Sequence, residues 1–426
     1  MESDRLWVRP CPETLATRGA KREARVKITA LETVVLPEHP NLTFVRLQTD
    51  EGLTGIGDTF YGPASVVAYL HEQAAPLLLG QDPRLIEHHW HTLFTQTVRG
   101  AGMRSAEIRG LSAIDVALWD VAAQAAGLPL FRLLGGPTRE TLRVYNTCAG
   151  YRYGGRRMAG WTANYTDGRI EGPYEDLDAF LHRADELADD LLAEGYTAMK
   201  IWPFDQFAPP THGQRIDPAE IVRGLEPFEK IRRAVGSRID IALEMHSVWG
   251  LPAAMRIARA VEPYDPMWFE DPVRMDNLDS LLEFRRATRV PTTASETLST
   301  RWAFREAFEK RALSVVMFDI GWVGGVSEAR KIAAMAEAYH LPIAPHDCVG
   351  PITLAASVHL DYAVPNVFIQ EVVRAYLAGV YPALVTEVPR VQHGEIRPPE
   401  RPGLGLTLLP DLTARPGASV RVTRAS

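Results

Sequence analysis

The chain has 426 residues, 46% of them hydrophobic and 23% charged, with a formal net charge of −7. That composition is ordinary for a globular protein, the length leaves room for a barrel of about 250 residues plus a smaller domain, and the mixed-sign charge excludes a basic nucleic-acid footprint. No apolar run reaches the ~18 residues of a membrane helix, so no membrane partner is expected.

The first 24 residues scatter arginines among Pro and Thr without apolar periodicity and read as a loose arm. From Val26 to Val35, Leu42 to Thr49 and Leu53 to Asp58 the pattern alternates, with Asp50-Glu51-Gly52 as a turn, which predicts an antiparallel meander. Helical spacing follows over Ala64 to Leu78, Pro83 to Phe94 and Ser105 to Ala126. Strands first and helices afterwards indicate an α+β domain, closed by the glycine break Gly135-Gly136.

A repeating part begins at Leu142 to Asn146. The next strands are Ala198 to Trp202, Ile239 to Glu244, Met267 to Glu270, Thr292 to Ser295, Val315 to Asp319, Ile343 to Ala344 and Val367 to Gln370, with helical stretches between them. Eight strands and seven intervening helices predict an α/β fold: a (β/α)₇β TIM-like barrel with an N-terminal α+β capping domain. The expected division is an arm over 1–24, the cap over 25–138, the barrel over 139–381, and a Pro- and Gly-rich segment over 382–426 that packs back on and completes the cap. Cys11, Cys148 and Cys348 show no CxxC or Cys/His zinc spacing, and no signal-peptide pattern opens the chain, so a reducing cytoplasm is expected.

One acidic or imidazole side chain closes most of the barrel strands. Glu244, Glu270, Glu296, Asp319 and His346 follow one another at steps of 26, 26, 23 and 27 residues. A polar residue at the C-terminal end of each strand is how such a barrel builds an active site. Three carboxylates converging at one mouth repel each other unless a cation lies among them, and an all-oxygen donor set favours a hard divalent ion, Mg²⁺ before Mn²⁺. Residues i and i+2 of a strand share a face, so His246 is expected beside Glu244 in the mouth, as a proton-transfer group, a metal ligand or a structural histidine. Adjacent strands lie ~4.8 Å apart, close enough for Asp319 to orient His346 as a base. Glu371 is expected to stabilise charge or bind substrate, or else to pair with Arg374 at the surface.

The order of Lys200, Glu244, Glu270-Asp271-Pro272, Glu296, Asp319, Gly324-Gly325, His346 and Glu371 resembles the enolase superfamily, in its mandelate-racemase-like subgroup. The resemblance implies one Mg²⁺ per subunit held by Glu244, Glu270 and Glu296, and removal of a proton α to a carboxylate to give a metal-stabilised enediolate. It also implies a homo-oligomer. Racemases of the subgroup carry Lys-x-Lys where this chain has Lys200-Ile201-Trp202, so the second lysine base is replaced by tryptophan. Lys200 matches the first lysine, which would neutralise the substrate carboxylate or pair with a metal ligand.

Glu244-Met245-His246 and Ala344-Pro345-His346-Asp347-Cys348-Val349-Gly350-Pro351 resemble D-galactonate dehydratase and related acid-sugar dehydratases, although Glu244 stands where that enzyme has Asp. Carried over, His346 takes the C2 proton and His246 helps the C3 hydroxyl to leave. The expected activity is that of a hydro-lyase giving a 2-keto-3-deoxy acid from a sugar acid or other hydroxy acid. An epimerase, racemase or cycloisomerase using the same enediolate is the alternative, and a non-catalytic sugar-acid-binding protein a further one. Substrate contacts are expected from Trp202, from Tyr151, Arg152, Tyr153, Arg156 and Arg157, and from the cap loops His39 to Asn41 and Thr59 to Gly62.

Overall fold

The computed structural model describes residues 26–98, 105–151, 153 and 172–425. The N-terminal arm, Arg152, Arg156 and Arg157 lie outside the described residues.

The alternating stretches form the expected meander: β1 (Ile28–Val35), β2 (Leu42–Thr49) and β3 (Thr54–Phe60) pair antiparallel in that order. The C-terminal strand Ser419–Arg424 joins the other edge of β1, with Val420 opposite Val34, so the tail does return to the cap. Helix Ala106–Ala125 crosses this sheet, its first turn capped by Ser105 Oγ accepting from Ile108 N at 3.2 Å. Close approach of helix and sheet needs Gly55 and Gly57, where a Cβ would lie 2.0 Å from the carbonyl oxygens of Ala117 and Ala113. A separate apolar core, including Ile28, Leu47, Trp90, Leu111 and Ile114, holds the cap together.

The single helix expected over Ala64 to Leu78 is split. A wide π turn over Leu70–Ala74 separates Pro63–Tyr69 from Ala75–Leu78. Pro76 has no N–H to give to the preceding turn, so regular i→i−4 bonding cannot run through it. The helix expected over Leu177 to Glu194 also divides, into Asp176–His182 and Ala184–Ala193, at the non-helical backbone of Arg183. Among the described residues no helix is long and apolar enough to cross a membrane.

Barrel strands β4 (Leu142–Thr147), β5 (Ala198–Ile201), β6 (Asp240–Glu244), β7 (Trp268–Glu270), β8 (Thr292–Ala294) and β9 (Val315–Val316) pair parallel in sequence order. The seventh strand is reduced to bridges from Ile343 to Val316 and to Val367. The chain leaving Val367 becomes β10 (Gln370–Val372), which pairs parallel with β4 and completes the ring. Two barrel strands differ from expectation at their ends by more than one residue. Asp319 lies beyond β9 as the cap of the short helix Ile320–Val323, its Oδ1 accepting from Gly321 N at 2.7 Å, and the eighth strand's ladder runs two residues later than the pattern placed it.

The barrel interior explains the placement of the polar residues. Tyr145, Ala198, Ala242, Trp268, Met317, Ala344 and Ile369 pack as one buried apolar layer. Two residues further along the same segments come Thr147, Lys200, Glu244, Glu270, Asp319, His346 and Glu371. Side chains at i and i+2 of extended chain point the same way, so an apolar floor from seven segments carries a polar layer directly toward the C-terminal mouth.

Candidate active site

Glu244, Glu270 and Glu296 each offer a carboxylate oxygen, and these oxygens lie within 4.8 Å of one another. Glu244 Oε1 accepts from the backbone amides of Met245 and His246 at 2.9 and 2.5 Å, which fixes its orientation. Trp268 Nε1 donates to Glu270 Oε2 at 2.9 Å. Burial pushes the Glu244 carboxyl up to about 7. Burial, with the Glu244 charge added, pushes Glu270 well above the ordinary carboxylate range. Such a set is stable in its charged form only with positive charge inside it, and its hard oxygen donors fit a divalent cation held at about 2.0–2.1 Å.

Lys200 supplies part of that positive charge. Its Nζ lies 2.5 Å from Glu270 Oε1, 2.8 Å from Glu371 Oε1 and 3.4 Å from Glu244 Oε2, and it is almost wholly buried. It thus pairs with two of the three carboxylates that could hold a metal. Glu371 is likewise not at the surface. It is fully buried, accepts from Thr147 Oγ1 and from Asp347 N at 2.9 Å, and leaves Arg374 to pair with Asp176 and Glu194.

His346 has the expected partner: its Nδ1 lies 2.6 Å from Asp319 Oδ2. Its Nε2 lies 2.9 Å from Glu296 Oε2. Burial alone would lower the imidazole, but the Glu296 and Glu371 carboxylates hold it well above its ordinary value.

His246 reaches the mouth by a route that strand geometry does not describe. β6 ends at Glu244, and His246 and Ser247 take left-handed backbone, φ 46° and 58°, so a turn rather than strand alternation directs the ring. Its Nδ1 lies 2.5 Å from Asp205 Oδ2. Asp205 opens a 3₁₀ turn, Asp205–Phe207, shortly after β5, and its other oxygen accepts from Trp249 Nε1 at 3.2 Å. Sequence reasoning missed Asp205 because it lies past the strand, outside any period. The available signal was a lone acid set among Trp202, Phe204 and Phe207.

A cavity of about 950 Å³ opens over this layer, lined in part by His246, Glu296, Asn41, Tyr61, Arg109 and Trp322. The cap loops thus contribute Asn41 and Tyr61 as expected, while His39 does not line the cavity. Neither do Trp202, Tyr151 and Tyr153. Trp202 is buried and meets His246 edge to face at 5.5 Å, Tyr153 lies tilted at 5.5 Å from it, and Tyr151 packs toward Tyr174. Bulk and aromaticity favour such ring packing. Arg109, in the first turn of the cap helix, was not anticipated. Its guanidinium lies 5.4 Å from the Tyr61 ring and 5.5 Å from the Trp322 ring, and Trp322 in turn lies 5.3 Å from the His346 ring.

Residues 183–412 match the enolase C-terminal domain-like family, and residues 18–135 match the mandelate racemase/muconate lactonizing enzyme N-terminal domain. The chain belongs to the mandelate racemase/muconate lactonizing enzyme family. Among its relatives in that family is a D-galactonate dehydratase of Ralstonia nicotianae, 32% identical over 90% of this chain and 92% of the relative. A D-xylonate dehydratase of Haloferax volcanii is 31% identical over 92% of this chain and 88% of the relative. An enolase of the mandelate racemase subgroup from Agrobacterium tumefaciens, solved as a crystal structure, is 46% identical, covers 94% of this chain and 99% of its own, and superposes with a TM-score of 0.83. Enzymes of this superfamily are metal-dependent, and the Glu244, Glu270 and Glu296 oxygens form a group that could hold a metal ion.

Proposed function

We propose that the protein is a Mg²⁺-dependent hydro-lyase that dehydrates a sugar acid to a 2-keto-3-deoxy acid. The observation that carries this reading is a pair of imidazoles at one barrel mouth, each held through Nδ1 by its own buried carboxylate, His346 by Asp319 and His246 by Asp205. A β-elimination needs a base for the C2 proton and an acid for the departing C3 hydroxyl, and two oriented imidazoles meet that requirement. The named activities of the D-galactonate and D-xylonate dehydratases among its relatives support the same chemistry.

In this reading Glu244, Glu270 and Glu296 hold one Mg²⁺ per subunit, with Mn²⁺ as a substitute. The ion supplies the positive charge that makes a proton next to a carboxylate acidic enough to remove. His346 Nε2 takes the C2 proton while Asp319 keeps Nδ1 engaged and the ring oriented. Lys200 offsets the charge of Glu244, Glu270 and Glu371, so that the layer keeps its carboxylates close together. Glu371 holds Lys200 and the Asp347 amide in place beneath the substrate. Asn41 and Arg109 face the end of the substrate remote from C2, where an amide and a guanidinium suit hydroxyl or carboxylate oxygens.

The test is a panel of sugar acids incubated with Mg²⁺ in D₂O. The expected result is a 2-keto-3-deoxy acid from at least one member. No 2-keto acid together with no exchange at C2 would sink the proposal. The same two imidazoles also favour an epimerase as second reading, which predicts deuterium at C2 of a product that has kept its C3 hydroxyl.

A further inference from the structure

We infer that Asp205 is a positioning residue for His246: it fixes the ring so that Nε2 meets the C3 hydroxyl, and thereby serves the elimination half of the reaction and not the C2 proton. The inference rests on the dehydratase reading above. It concerns a side chain on a 3₁₀ turn outside the ladder of polar strand ends.

Four contacts define the ring. Asp205 Oδ2 lies 2.5 Å from Nδ1, and the Trp202 ring meets the imidazole edge to face at 5.5 Å and 86°. Trp249 Nε1, 3.2 Å from Asp205 Oδ1, keeps the carboxylate from rotating away. The His246 amide donates to Glu244 Oε1 at 2.5 Å, which ties the turn to the carboxylate layer. The Asp205 side chain is only 2% exposed, so water does not solvate its charge and the imidazole N–H and indole N–H do. His246 and Ser247 hold left-handed backbone that non-glycine residues adopt at a cost, a conformation that persists where surrounding contacts impose it. The first two act on the ring itself, and the others hold the carboxylate and the backbone that carry it.

The step assigned to this pair balances as follows. After His346 has taken the C2 proton, the electron pair of the enediolate forms the C2=C3 bond and the C3–O bond breaks. The departing hydroxyl takes one proton from His246 Nε2 and leaves as water. The enol that remains then loses its O2 proton and gains one at C3, giving the 2-keto acid. Asp205 touches none of these atoms. It acts through the angle and charge of the ring: with the imidazole protonated on both nitrogens for the acid step, a carboxylate accepting from Nδ1–H turns the Nε2–H to the substrate.

Asp205→Asn separates this role from simple support of the fold. The amide can present its NH₂ to Nδ1 and so spoil the ring's orientation without changing side-chain volume. With a sugar acid that the wild-type enzyme dehydrates, exchange of the C2 hydrogen in D₂O is expected to stay within about threefold of wild type. Water elimination is expected to fall about 10²–10⁴-fold, the range of a general-acid contribution. The 3-chloro-3-deoxy analogue supplies the second readout, since chloride departs without a proton. Its elimination by Asp205→Asn is expected within a few-fold of wild type, which lost packing would not restore. Exchange and water elimination falling in parallel, unchanged elimination, or failure of the chloro analogue to recover would each overturn the inference. A wild-type enzyme that dehydrates no acid in the panel refutes the proposed function instead, so the two failures are distinct.

Discussion

The protein buries two groups of carboxylates and resolves their charge in opposite ways. At the barrel mouth Glu244, Glu270 and Glu296 converge, with oxygens within 4.8 Å of one another. At the seam where the cap meets the barrel and the C-terminal segment, Asp58, Asp115 and Asp120 lie outside that cluster, each inserted among donors of other elements. Asp58 accepts from the amides of Ile352 and Thr353 at 3.0 and 2.9 Å and from Thr353 Oγ1 at 2.6 Å. Asp115 accepts from Ser327 N and Oγ at 2.9 and 2.6 Å, and Asp120 from Ile56 N and Leu404 N at 3.1 and 2.8 Å. The difference separates function from assembly: mutual crowding needs a cation, whereas isolated carboxylates satisfied by backbone amides act as fasteners.

The largest effect expected from breaking this contrast is at Glu270. Glu270→Gln should lower Mg²⁺ affinity sharply by calorimetry and reduce turnover of the responsive sugar acid at least about 10³-fold, since a ligand and a charge are lost together. In chelator, however, the variant should melt close to wild type, because relief of the crowding with Glu244 offsets the weakened Lys200 contact. A Glu270→Gln protein with unaltered Mg²⁺ binding would refute the role given to the mouth carboxylates. His346→Asn should remove both C2 exchange and turnover while leaving Mg²⁺ affinity within about tenfold, because the imidazole is a neighbour of the ligand set and the base of the reaction. Persisting exchange would point to another base.

At the seam the signs reverse. Asp58→Ala should cost about 2–3 kcal/mol of stability, since it strands the amides of Ile352 and Thr353 at the start of helix Pro351–Ala363. Mg²⁺ affinity of the folded protein should be unchanged within error. Denaturant melts and Mg²⁺ titrations of the same sample decide the matter, and a variant that loses metal binding but no stability would erase the distinction between the two groups.

The mouth was far more legible in the sequence than the seam or the cavity wall. Glu244, Glu270, Asp319, His346 and Glu371 each follow by two residues an apolar side chain of the barrel floor, so a period of two and a repeat of one strand per helix sufficed to find them. Glu296 was found from the same repeat. The shape of the fold was readable for the same reason, with errors where a π turn before Pro76 and non-helical backbone at Arg183 each divide an expected helix. Asp205 and Arg109 depend on contacts between segments distant in sequence. Asp205 meets His246 41 residues away, and Arg109 meets Tyr61 and Trp322 from the cap helix, so no strand or helix period announces either. The aromatic residues Trp202, Tyr151 and Tyr153 pack on other rings, contacts that residue type alone does not announce.

The smallest expected effect uses pH to sharpen the same contrast. Burial pushes the Asp115 carboxyl up to about 7 and those of Asp58 and Asp120 up to about 6. In the unfolded chain an aspartate releases its proton near pH 4, so between about pH 4 and 7 the folded protein binds more protons than the unfolded one. The stability these groups contribute is present in full below pH 4 and is lost as pH rises through 6 to 7. In chelator Glu244, pushed up to about 7, acts in the same direction, so the wild-type melt should fall as pH rises from 5.5 to 7.5. Asp115→Asn cannot ionise and should show a shallower fall, by about 1–2 kcal/mol over that window. Saturating Mg²⁺ separates the two groups, because the ion selects ionised ligands and turns the mouth's contribution toward higher stability at higher pH, while the seam keeps its sign. The difference between wild type and Asp115→Asn should therefore be the same with and without Mg²⁺. A difference that vanishes when Mg²⁺ is added would mean that the seam and the mouth titrate as one unit, and the division between fastening and catalytic carboxylates would not hold.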